Sequence, residues 1–191
     1  MPRRLVEEKW NSITHAVMLG FLLSTIFSNS VSIVVYSVGM SVAMVFSVLY
    51  HAIEGIERKK QYRKLDMMSI HVAISASGVS YILSYGDPLL VVPVVLVGLL
   101  GIMYVHVCYG RSSFEKGVAI SFVLFGIATA CFTVGGLFLT GNLLNLLSFV
   151  VGVLLYLTGL VFYVKDIREW YHTVWHLFVM AGIVVHYCGL E

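Results

Sequence analysis

Residues 31–51 read VSIVVYSVGMSVAMVFSVLYH, an apolar run with no Asp, Glu, Lys or Arg, and residues 52–66 that follow read AIEGIERKKQYRKLD. A membrane-crossing helix needs about 20 consecutive, mostly apolar residues, so the first stretch is long enough to span. The second is too basic to stay in lipid and marks a return to water. Working outward, six more apolar runs are cut at polar breaks. The expected spans are Asn11–Phe27, Val31–His51, Asp66–Tyr85, Pro88–Tyr109, Lys116–Leu139, Leu143–Val164 and Tyr171–Leu190. Gly86-Asp87-Pro88 and Gly141-Asn142 supply turn residues between runs.

Composition agrees with this division. Of 191 residues, 59% are hydrophobic and 12% charged. A soluble domain carries about 25% charged residues, so lipid must cover much of this surface. The net charge is only +2, and no basic stripe with interleaved aromatics occurs, which argues against nucleic acid. No linker divides the chain, so residues 1–191 read as one domain. The first apolar run lacks a small-x-small cleavage pattern and reads as a retained helix. Cys108, Cys131 and Cys188 are far apart, form no C-x-x-C, and read as small core residues.

Orientation follows from Lys and Arg, which concentrate on the cytoplasmic side. Arg3, Arg4 and Lys9 precede the first run; Arg58, Lys59, Lys60, Arg63 and Lys64 fill the second break. Arg111 and Lys116 lie in the fourth, Lys165 and Arg168 in the sixth, and together these are all twelve basic residues. The odd-numbered breaks and the C-terminal tail have none. The expectation is an all-α, seven-helix bundle, multi-pass in the cell membrane, with N-terminus cytoplasmic and C-terminus external. Trp10, Trp170 and Trp175 fall at the cytoplasmic boundary, as an aromatic belt does.

Ionisable side chains within spans are costly, and each is a functional candidate. His51 ends the second run, Asp66 opens the third, and His172 and His176 open the seventh. The topology puts all four at the cytoplasmic end. His172 and His176 are i, i+4, so their rings share one helical face. Ser47 stands in the same relation to His51. Two readings remain open on these residues alone: a metal centre, because neutral imidazoles bind zinc well, or unconnected interfacial histidines. His15 reads as a helix-end cap in preference to a site residue, and His106 as interfacial. His71 is rotated off the Asp66 face, and His186 lies about 15 Å beyond His176. Glu54 and Glu169 read as solvated boundary residues. H-E-x-x-H, a Walker loop, G-x-S-x-G and a dinucleotide fingerprint are all absent.

In order along the chain stand Glu7-Glu8-Lys9-Trp10-Asn11-Ser12-Ile13-Thr14-His15, Ser47-Val48-Leu49-Tyr50-His51, Arg63-Lys64-Leu65-Asp66 and His172-Thr173-Val174-Trp175-His176-Leu177-Phe178. This order resembles the haemolysin III proteins, the bacterial branch of the progestin and adipoQ receptor family, over nearly the whole chain. The resemblance implies a seven-helix bundle with an intracellular zinc ion (Zn2+) on His51, His172 and His176, Asp66 holding a water there, and Ser47 beside them. Met67 departs from the pattern, since bacterial relatives often have His after this Asp. The family is also similar to the alkaline ceramidases, which hydrolyse lipid amides. The sharpest expectation is therefore a zinc-dependent hydrolase of a lipid amide or ester, acting on membrane lipid, with Asp66 as general base and Ser47 assisting. The opposing one is a non-enzymatic protein with a structural zinc: receptor-like, a regulator of membrane state, or membrane-lytic. Transport fits less well, because neither a broken-helix pair nor an inverted repeat is found.

Overall fold

The computed structural model describes residues 5–165 and 169–191, so Arg3, Arg4 and Arg168 of the basic series lie outside the described residues. The elements are α1 (Leu5–Thr25), α2 (Val31–Ala52), α3 (Ile56–Tyr85), a short 3-10 turn (Pro88–Leu90), α4 (Val91–Cys108), α5 (Phe114–Thr140), α6 (Leu143–Val164) and α7 (Tyr171–Cys188). Each of the seven expected spans is a helix. Among the described residues five helices, α2 to α6, are long and apolar enough to cross a membrane. In α1 the charged first turn lowers the hydropathy, and in α7 three histidines do so.

Two helix starts differ from the sequence reading. α1 begins at Leu5 instead of Asn11, and α3 begins at Ile56 instead of Asp66. The basic run is therefore not a loop. Nothing in residues 56–66 breaks a helix, and Glu57 and Lys60 pair at 3.0 Å one turn apart. The break falls at Gly55, whose φ of +93° suits glycine and strains other residues. Asp66 is consequently the eleventh residue of α3 and does not open it.

Consecutive helices pack on one another, and α1 meets α7 to close the bundle. α3 also touches α5, and α2 touches α7. α2 and α3 form the closest pair, because Gly39 lets the α3 backbone approach: a Cβ there would fall on Ala76. Small residues at helix crossings are the usual device where lipid removes any hydrophobic drive between helices. Tyrosine hydroxyls tie α2 and α3 to α7, from Tyr36 to the Ile183 carbonyl (2.9 Å) and from Tyr81 to the His186 carbonyl (3.0 Å).

The outer surface is apolar, and the interior holds the polar groups. Leu96, Leu99, Leu100 and Met103 on α4 are all more than half exposed, while Ser37, Ser77, Ser80 and Thr133 are buried. That inversion suits a surface facing hydrocarbon. Cys131 and Cys188 are on this exposed surface, not in the core, and Cys108 is half-buried. All three thiols are free.

Candidate metal centre

The end of α2 and the first two turns of α7 bring His51, His172 and His176 together. One ring nitrogen from each lies within 4.8 Å of the other two. Ring centroids are 4.4 Å apart for His172–His176, 5.0 Å for His51–His176 and 5.3 Å for His51–His172. All three side chains are buried. The i, i+4 spacing puts the α7 pair on one face, and that face looks towards α2. Tetrahedral zinc with bonds of about 2.0–2.1 Å needs nitrogens about 3.3 Å apart, so small side-chain adjustments close the site. The donor set fits a borderline-soft divalent ion. Among the described residues no carboxylate joins this mutually close set.

Trp170, the residue before α7, has φ +68°, a left-handed conformation uncommon for a bulky side chain. It sets the entry of the chain into the helix that carries two of the three histidines.

A cavity of about 210 Å³ runs inward from the cluster. His172, His176, Asp66 and Ser47 line its near end, and Ser77, Tyr156 and His186 its far end. Between them the wall is apolar, with Met44, Ile74 and Leu160 among its residues. Ile127 on α5 and Leu157 on α6 line it as well, although both are exposed on the outer surface. α5 and α6 are the most sparsely packed consecutive pair, and both contribute residues to the cavity wall.

Asp66 is half-buried and Ser47 buried at the near end of the cavity, and Arg63 lines the cavity as well. His15 is not a cap. Its Nδ1–H donates to the Asn11 carbonyl within α1 (2.8 Å), and its ring lies edge-on to His176 at 4.0 Å. His71 points away, towards Ser121 of α5 at 3.3 Å, and His106 is exposed. His186 sits at the cavity's far end. Its Nε2–H donates to the Phe149 carbonyl (2.9 Å), and its Nδ1 accepts from the Ser77 hydroxyl (2.8 Å). Trp175 lines the cavity against α6 instead of facing outward with Trp10 and Trp170.

One participant escapes a motif search. Glu8, in the first turn of α1, accepts the Nδ1–H of His51 at 2.6 Å and meets Lys59 of α3 at 3.2 Å. Its signal was its position: Glu8, Asn11 and His15 are spaced three and four, a single helical face.

Fold and site together define a helical, multi-pass membrane protein with a buried three-histidine cluster able to hold a metal ion. A family model described as haemolysin-III related matches residues 4–187, and the chain belongs to that family. No solved structure matches the chain.

Proposed function

We propose that this protein is a zinc-dependent hydrolase of a lipid amide or ester in the plasma membrane. In this reading it crosses the bilayer seven times, with its N-terminus and metal centre on the cytoplasmic side. The observation that carries the proposal is a cluster of three buried histidines, two of which line a largely apolar cavity together with the carboxylate of Asp66. The basic first turns of α3 support the orientation, since Lys59 reaches the metal centre's own end of the bundle.

His51, His172 and His176 would hold Zn2+ as neutral imidazoles, and the ion would then supply Lewis acidity for a water and an acyl carbonyl. Asp66 orients the attacking water and takes its proton as general base. Ser47, one turn before His51, offers a hydroxyl to the same space. The apolar wall takes the acyl chain, which slides in between α5 and α6 without passing through water. Transfer from lipid to an apolar cavity gains little hydrophobic energy. Selection of the substrate therefore rests on polar contacts beside the metal centre and on fit.

A structural zinc is usually closed by four protein ligands. Among the described residues the mutually close donor set is three histidines, which supports an open fourth position instead. The test is fatty-acid release from ceramide and other N-acyl lipids by purified protein in nanodiscs. Release that is lost with chelator and lost in Asp66→Ala is expected. Turnover at background, unchanged by Asp66→Ala, would remove the hydrolase reading and leave the structural one.

A further inference from the structure

We infer that Glu8 is the positioning residue of the metal centre and that the first three turns of α1 are its outer wall. The inference rests on the zinc reading above. A metal-binding imidazole has two nitrogens, and the bond made by one decides which is left for the metal. In His51 the Nδ1–H is committed to Glu8 Oε2 at 2.6 Å, so Nε2 is the nitrogen directed to the cluster. The contact lies inside the protein: the His51 side chain is fully buried, and that of Glu8 is 14% exposed. A carboxylate on the far nitrogen raises the basicity of the ligand and fixes the ring plane.

The charges complete the argument. Three neutral imidazoles leave an ion's +2 uncompensated in a region where charge is expensive. Glu8 supplies a negative charge one imidazole away. Lys59 at 3.2 Å from Oε1 holds the other oxygen, and its ammonium also sits 5.2 Å over the Tyr50 ring. Glu8 therefore joins α1, the end of α2 and the start of α3 at the rim of the site.

The same face of α1 reaches the α7 ligands. Asn11 Oδ1 accepts the Thr173 hydroxyl at 2.6 Å, next to His172. One turn on, His15 packs against His176. Every ligand thus has a support on, or next to a contact from, one stripe of α1.

Zinc affinity of the purified full chain, measured by competition with a chromogenic chelator, tests this. Glu8→Gln keeps the shape and removes the charge. It is expected to weaken zinc binding about 10- to 100-fold, with the melting temperature of the metal-free protein unchanged. Affinity equal to wild type overturns the inference and leaves the zinc centre standing. Wild type that binds no zinc overturns both. A second measurement needs no variant: 15N-histidine NMR of the zinc-loaded wild type. His51 protonated on Nδ1 and metal-bound through Nε2 is expected, and the opposite tautomer refutes the role given to Glu8.

Discussion

Replacing Gly152 by alanine should destabilise the bundle far more than its single methyl group suggests. A Cβ at Gly152 would fall on the His186 ring, within contact range of Cδ2 and Nε2. The imidazole must leave, and with it go the bonds to Ser77 (2.8 Å) and Phe149 (2.9 Å) and the stack on the Phe149 ring at 5.1 Å. Interhelical hydrogen bonds in membranes average about 0.6 kcal/mol each. Overpacking a tight contact adds roughly 1–3 kcal/mol. The expected loss is about 2–4 kcal/mol, the sum of those contributions. Gly126→Ala is the matched control, because a Cβ there meets nothing within 4 Å. It should be neutral, or stabilising by up to about 1 kcal/mol through helix propensity. Ser77→Ala, which removes one bond without adding bulk, should cost about 0.6 kcal/mol. Reversible unfolding in bicelles gives all three values. A Gly152→Ala protein within about 0.5 kcal/mol of wild type would refute the packing described for His186, since changes that small are typical of uninvolved surface sites.

Three further outcomes follow from the same geometry. Removing zinc should lower the melting temperature by about 8–16 °C if free zinc is buffered near 1,000 times its dissociation constant, from about 4.1 kcal/mol of linkage at about 2–4 °C per kcal/mol; scanning calorimetry with and without chelator measures it, and His172→Ala/His176→Ala should abolish the difference. Gly126→Leu, which adds bulk at an open point of the cavity wall, should slow turnover of long-chain N-acyl lipids roughly tenfold, an effect of about 1.4 kcal/mol, with zinc content unchanged; turnover equal to wild type would exclude this cavity as the acyl path. In a background with Cys108, Cys131 and Cys188 replaced by serine, a membrane-impermeant thiol reagent should label Asn29→Cys in intact cells and Ser112→Cys only after permeabilisation, and the reverse pattern would invert the topology.

Much of the fold was legible because lipid imposes a simple rule on sequence. A run such as Val31–His51 has one plausible structure once water is excluded, and α2 ends within a residue of that reading. Polarity locates where a chain meets water, however, not where a helix stops. The basic residues from Arg58 to Lys64 mark the first but are good helix formers, so α3 continues through them to Gly55. For the same reason the first helix was begun too late, at Asn11 instead of Leu5. At the site, His51, His172 and His176 were readable from depth and i, i+4 spacing. Glu8 and His15 were not, because both act through contacts between helices far apart in the chain. A Glu in a charged first turn looks like any solvated residue until His51, 43 positions later, is placed beside it. The thiols Cys131 and Cys188 misled in the opposite way: small apolar side chains face lipid as readily as a core, so composition alone does not assign them an inside.

The account depends most on the three histidines holding zinc, and elemental analysis of the protein purified without added metal tests that most directly. Wild type should carry about one zinc ion per chain, as a single three-imidazole site predicts, and His172→Ala/His176→Ala should carry close to none. Zinc absent from wild type, or present equally in both proteins, would contradict it.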